Sequence, residues 1–288
     1  MHADLDTLCT AVYCTADDLL PTPAANARRR VTDAEVVTLC VAQAIMGIPS
    51  DRRFLAVAEK RLCHLFPALP AQPGFHKRRR RLSETIEWLV GIFASQSPGA
   101  GDDVVLLDST PVECGRSRET AKRSALADFV GYGYCPSHSR PFWGMRLHLC
   151  CAPDGTPRAA ALWRADRPER EVALELLPRA LRGGEAVVCD KGYAGREFAL
   201  AVEGMDAVVL RPARADEPGN GLHLSSIRQR IESVFWTCKD LLTLERHGAR
   251  TIDNLRVRIA TRLLTLAACI VLNHQLGRPS RSLVAYVA

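Results

Sequence analysis

Three carboxylates in this sequence lie where chemistry could use them. The apolar run VVLLDS closes on Asp108, and the run in AVVCDKGY closes on Asp190. The third, Glu232, lies in IRQRIESVFWTCKDLL, four residues after Arg228 and seven before Lys239. Carboxylate oxygens are the ligands hard divalent cations prefer, and Mg²⁺ commonly takes one or two of them plus substrate phosphates. Two such ions about 3.5–4 Å apart can activate an attacking oxygen and stabilise a leaving oxygen in phosphoryl transfer. An aspartate that ends a strand also has an ordinary use, capping the turn or helix that follows. Two apolar strands with the same ending favour a shared carboxylate site over two separate caps.

Spacing alone leaves Glu232 with two readings. At about 100° per residue, Arg228, Glu232 and Lys239 fall within roughly 40° of one another on a helix. One reading is a salt-bridged helix surface, worth a few tenths of a kcal/mol per pair. The other is an acidic metal ligand flanked by cations that hold the phosphates of the strand being cut.

The elements that must position these residues change character near residue 100. Before it the pattern is helical: VTDAEVVTLCVAQAIMG opens with Thr32 and Glu35 in capping-box spacing and stops at Gly47. DRRFLAVAEKRLCHLF and RLSETIEWLVGIFASQ read as further helices, and SPGAGDD as a flexible break. VVLLDS then reads as a buried strand ending at Asp108. FWGMRLHLCCA and PRAAALWRA form a hairpin around the PDG turn, and PEREVALELLPRAL is a helix that ends before Gly183 and Gly184. EAVVCD, GREFALAVEG and DAVVLRPA continue as strand, helix and strand. The Glu232 helix and the long TIDNLRVRIATRLLTLAACIVLNHQLG follow. The expected architecture is α/β, a mixed sheet flanked by helices, preceded by a small all-helical N-terminal domain. The expected division is 1–100 and 101–288.

Composition restrains the partners. The 288 residues carry a formal charge of +6, with 47% hydrophobic and 24% charged residues, as in an ordinary globular protein. Basic residues cluster at Arg28–Arg30, at His76–Arg81, and at Arg116, Arg118, Lys122 and Arg123. Single runs of this kind are usually solvated surface, whereas three favour a phosphate-binding one. The eleven cysteines are scattered without a C-x-x-C pair. Cys135 and His138 have ligand-like spacing but no second pair, so reduced thiols acting as small apolar residues are expected. MHADLDTLCT has neither a basic n-region nor an apolar h-region, and Leu263–Leu272 is too short to span a bilayer. A cytoplasmic protein with no membrane partner is expected, with a core helix at Leu263–Leu272.

The stretches VVLLDSTPV, GYGYCPSHSRPFWGMRLHL, VVCDKGYAG and RQRIESVFWTCKDLLTLERHGARTIDNLRVRIATRLL resemble bacterial insertion-sequence transposases of the DDE type. Within that group the chain is most similar to the nine-eighty-two insertion-sequence family. VTDAEVVTLCVAQ and SDRRFLAVAEKRLCHLFPALP resemble its N-terminal helical region, so the likeness covers nearly the whole chain. The resemblance implies the RNase H-like fold shared with retroviral integrases, with Asp108, Asp190 and Glu232 as the DDE triad. Asp108 and Asp190 would help bind two Mg²⁺ or Mn²⁺ ions, and Glu232 would complete one coordination shell. Arg228 and Lys239 match the cationic positions of the signature around the glutamate, and Lys191 and Tyr193 would contact DNA or support the site. That signature often has Tyr three residues before the Arg, where this chain has Ser225.

The implied partner is double-stranded DNA, both the element's terminal inverted repeats and the target, engaged by a homo-oligomer in the cytoplasm at the nucleoid. Residues 1–100 would bind DNA or mediate dimerisation, and 101–288 would be catalytic. The alternatives are a non-catalytic DNA-binding remnant and another metal-dependent nuclease on the same fold. Among the other marked residues, His148 either faces the site or packs in the core. Trp143 and Trp236 read as core or interface aromatics, Trp236 also as a base-stacking residue. Asp166, Glu169 and Glu171 suit a helix start, with Glu171 the reserve candidate for an extra ligand.

Overall fold

A computed structural model of the protein describes residues 4–21, 30–135, 139–218, 221 and 223–287. Arg28, Arg29 and His138 lie outside the described residues. In chain order the first helices are α1 (Leu5–Leu19), α2 (Asp33–Ile45), α3 (Asp51–Arg61), α4 (Gln72–Arg81) and α5 (Ser83–Ser95). Then come β1 (Val104–Gly115), α6 (Arg118–Arg123), β2 (Gly131–Cys135), β3 (Arg140–Cys151) and β4 (Pro157–Arg164). α7 (Glu169–Ala180), β5 (Glu185–Val188), α8 (Arg196–Glu203) and β6 (Ala207–Leu210) follow, before α9 (Ser225–Asp240) and α10 (Ile252–Gln275). The chain divides into two units, residues 98–236 and residues 1–97 together with 237–288.

The helical unit begins as its caps dictate. Thr32 and Glu35 form the reciprocal capping box, and Gly47 takes a left-handed φ of +63° just past α2, where a side chain would be strained. α10 differs from the expected division at residue 100: with the rest of 237–288 it groups with the N-terminal helices, packing on α1, α2, α4 and α5. The physical reason is its burial on all sides, from Asn254 to Asn273 except Arg256, which demands neighbours all round. Leu263–Leu272 is the core helix expected, and no described helix is long and apolar enough to cross a membrane. None of the eleven cysteines forms a disulfide among the described residues.

The second unit is built on a six-stranded mixed sheet in the order β2-β3-β1-β5-β6, with β4 also on β3. β1 pairs antiparallel with β3 on one side and parallel with β5 on the other. β2 takes the first part of β3 and β4 the second part, on the edge away from β1. β5 and β6 are parallel, joined through α8. An antiparallel group on one side of β1 and a parallel group on the other is the RNase H-like arrangement expected. α7 and α8 cover one face, where Val172, Leu176, Phe198 and Val202 meet Val105, Leu107, Val187 and Cys189.

One expectation about β1 fails. The strand does not end at Asp108 but runs on to Gly115, because antiparallel pairing with β3 continues there. What ends near Asp108 is the parallel pairing with β5, whose last pair is Leu106 with Val188.

Candidate active site

That last parallel pair fixes the two aspartates relative to one another. Asp108 lies two residues beyond Leu106, and Asp190 two residues beyond Val188. Equal displacement along adjacent parallel strands puts them side by side at about 4.8 Å strand spacing. Side chains alternate along a strand. Val105, Leu107, Val187 and Cys189 face α7 and α8, so Asp108 and Asp190 share the other face. The carboxyl ends of parallel strands are the usual place for a ligand in such sheets.

Each aspartate is held by local backbone. Asp108 Oδ1 accepts from Ser109 N at 2.7 Å, and Asp190 Oδ1 accepts from Gly192 N at 2.7 Å. The second contact makes Asp190 the cap of a short 3₁₀ turn, Lys191–Tyr193. So the capping use of Asp190 and its place beside Asp108 coexist. Burial pushes the Asp108 carboxyl up to about 7, helped by the charges of Asp190 and Glu169 and opposed by the Ser109 hydrogen bond and Arg228. Arg228, in the first turns of α9, thus lies close enough for its charge to be felt at Asp108. Glu232, one turn on, is exposed, and Ser225 is exposed at the helix start. Among the described residues no three His, Cys, Asp or Glu side chains stand together at metal-holding distance.

Glu169 is the residue that sequence reasoning passed over. Its Oε1 accepts from Ser109 Oγ at 2.8 Å and pairs with Arg146 Nη1 at 2.8 Å. Arg146 Nη2 also donates to Tyr134 O at 2.6 Å. The reserve candidate Glu171 instead pairs loosely with Arg167 at 3.8 Å on the surface. The signal was available in the helix phase: Glu169 falls three and four residues before the buried Val172 and Ala173, and Glu171 does not.

Tyr193 and His148 are both buried. The Tyr193 phenol has no hydrogen-bond partner, and burial raises its pKa well above the usual value, with Glu169, Asp108 and Asp190 adding to the shift. Buried in this way, its ring presents no exposed face for a DNA contact. His148 is a core histidine whose two ring nitrogens have no partner. Burial lowers its pKa to about 4, and Arg146 and Arg167 push the same way. Trp143 is buried and Trp236 is exposed.

The cationic residues separate into two groups. Arg116, Lys122 and Arg123 are exposed and only loosely paired, with Glu113 at 3.7 Å and with Glu119 at 3.6 and 3.7 Å. Arg118 and Lys191 are exposed as well. Lys239 belongs to the helical unit and pairs with Glu245 at 3.2 Å. The run at 76–81 is split: Lys77, Arg80 and Arg81 are exposed, whereas Arg79 is buried. Arg78 bonds Asp33 and Val31 O, and Arg80 bonds Asp253.

Residues 99–268 match the family model described as a transposase DDE domain, more than half of the chain and all three carboxylates. The chain belongs to the DDE transposase family. It is a DNA transposase of the DDE type, and enzymes of this family work with divalent metal ions. No curated protein matches the chain. A solved structure, titled a piggyBac transposase synaptic complex with hairpin DNA, is similar at 9% identity and a TM-score of 0.44, over 96% of this chain and 82% of that one. The adjacent Asp108 and Asp190 fit such an ion: two hard-oxygen donors on one face, whose mutual repulsion a divalent charge relieves.

Proposed function

We propose that this transposase cuts phosphodiester bonds at the ends of a mobile DNA element and joins the freed ends to target DNA, with Asp108, Asp190 and Glu232 as its triad. The observation that carries the reading is the equal register of Asp108 and Asp190 beyond the Leu106–Val188 pair. When bound, two Mg²⁺ or Mn²⁺ ions would activate the attacking oxygen and stabilise the leaving one. Asp108 and Asp190 would hold the ions from the sheet, and Glu232 would contribute from α9. Glu169, through Ser109, steadies the strand segment beside Asp108. Arg228 offsets the negative charge of the carboxylates and receives a phosphate oxygen.

In the first step water attacks the phosphorus at the element end, a P–O bond to the 3′ oxygen breaks, and a 3′-hydroxyl is released. In the second, that hydroxyl attacks a target phosphodiester, forming a new P–O bond while the target's own 3′ oxygen leaves. No covalent protein–DNA bond forms. Lys191, Arg116, Arg118, Lys122, Arg123 and Lys239 contact double-stranded DNA, and a homo-oligomer pairs the ends.

The test is a plasmid carrying the terminal repeats, incubated with Mg²⁺. Wild type should nick and transfer, while Asp190→Asn should lose cleavage by about 10³-fold or more and still bind the ends. Retained cleavage by that variant would reject the triad. Nicking without any transfer by wild type would point to a hydrolytic nuclease, and no nicking at all to a DNA-binding remnant.

A further inference from the structure

The helical unit buries more positive charge than its own residues neutralise. Arg79 of α4 donates to Asp51 with both terminal nitrogens, at 2.9 Å each, and Arg258 of α10 donates to Asp51 Oδ1 at 2.6 Å. Gln43 and Asn254 add neutral acceptors for Arg79, both at 3.1 Å. Arg262, one turn further along α10, reaches only neutral oxygens: Arg258 O at 2.8 Å, Thr243 O at 3.1 Å and Thr243 Oγ1 at 3.2 Å. All three arginines are at most 5% exposed. Three guanidinium groups thus share one carboxylate.

Among the described residues, no second carboxylate bonds to these three arginines. Burial pushes the Cys40 thiol up to about 12, so it stays neutral. His76, 3.5 Å from Asp51, brings no negative charge of its own. An arginine does not lose its proton at neutral pH. A buried ion without a counter-charge is costly.

The arginines line a cavity of about 10 Å³, together with Cys40 and Gln43. That is space for a single small particle, such as a water molecule or a monatomic ion. The Nε atoms of Arg79, Arg258 and Arg262 are each buried with no hydrogen-bond partner. The site offers unused N–H donors, an excess of positive charge and room for a single small occupant.

We propose that this cavity binds one small monovalent anion of the halide class, chloride above all. A water molecule could accept the same hydrogen bonds but would leave the charge uncompensated. Phosphate and sulfate are too large. The bound halide ties α4 to α10 through their arginines, so it stabilises the helical unit by mass action. This site is separate from the carboxylate site and does not depend on the transposase reading.

Two measurements on the full chain test it. Crystals soaked in bromide should show an anomalous peak in the cavity lined by Arg79, Arg258 and Arg262. At matched ionic strength, the thermal midpoint should rise and saturate with chloride or bromide but not with gluconate or sulfate. Arg262→Gln should lose the saturable part. An empty or water-filled cavity in the bromide crystals would overturn the proposal. So would a midpoint that follows ionic strength equally for every salt, and the wild-type measurements decide even if the variant fails to fold.

Discussion

The two units each bury an excess of one sign of charge, and they treat it differently. Around Asp51 the guanidinium groups are bonded through their terminal nitrogens: Arg79, Arg258 and Arg262 donate to Asp51, Gln43, Asn254 and Thr243 across four helices and a turn. Around Asp108 and Asp190 the carboxylates receive, among the described residues, a local backbone N–H each, and Asp108 carries a raised pKa. The first arrangement is what a core needs, since buried charge must be bonded. The second leaves charge to be met from outside, as a metal and phosphate site requires. The buried arginine cluster should therefore fail by losing stability, and the carboxylate cluster by losing activity.

The largest expected effect tests the first half of that contrast. Asp51→Ala leaves three buried guanidinium groups without a carboxylate and should cost on the order of 3–5 kcal/mol. Denaturant unfolding would measure it. A loss below about 1 kcal/mol would mean that the arginines are not held by Asp51, and the contrast between the units would collapse.

His148 gives the next effect and concerns buried charge of another kind. Its folded pKa, about 4, lies below the ordinary 6.5, so the unfolded chain takes up the proton first. Its contribution is therefore fully present above pH 6.5 and is lost as pH falls toward 4. The whole span is worth about 3 kcal/mol at 1.36 kcal/mol per pH unit. His148→Leu should flatten the acid side of the stability profile, and it should cost little at pH 7 because the ring nitrogens have no partners to lose. An unchanged slope between pH 6.5 and 4 would show that the ring is reached by water.

Asp108 carries the opposite sign. Its folded pKa of about 7 lies above the ordinary 3.8, so the folded chain holds the proton longer and stability falls as pH rises through 7. Asp108→Asn should raise the free energy of unfolding in metal-free buffer at pH 8, by about 1–2 kcal/mol once partial exposure is discounted. The gain should shrink as pH falls toward 4. The same variant should not cleave DNA, a gain of stability at the expense of function. A destabilised Asp108→Asn would place this carboxylate with the structural charges and not with the reactive ones.

Local features were legible and long-range ones were not. The Thr32–Glu35 cap, the stop at Gly47 and the apolar runs of β5 and β6 depend on neighbours in sequence, and they lie where the spacing put them. The extent of β1 depends on β3, thirty residues away, and a strand end read from apolar content stops too early. β2, with its exposed Tyr132 and Tyr134, carries no apolar alternation and gave no signal. Arg79 sits in a basic run that reads as surface, because nothing local says that Asp51 will meet it. Asp108 and Asp190 were legible as residues, while their adjacency required knowing that the two strands are parallel neighbours in one register.

Lys239 gives the smallest effect and the sharpest choice between the two kinds of charge. Its ion pair with Glu245 at 3.2 Å would make it an ordinary surface bridge, worth about 0–1 kcal/mol. A partly exposed ammonium can exchange that partner for a phosphate, and such a contact contributes about one unit to the slope of log affinity against log salt. Lys239→Ala should therefore leave the melting midpoint nearly unchanged and reduce the salt slope of end binding by about one. Glu245→Gln, which frees the lysine, should move affinity the other way while leaving the slope intact. If Lys239→Ala changes the midpoint and not the slope, the lysine belongs with the structural charges around Asp51, and α9 delivers only Arg228 and Glu232 to the reaction.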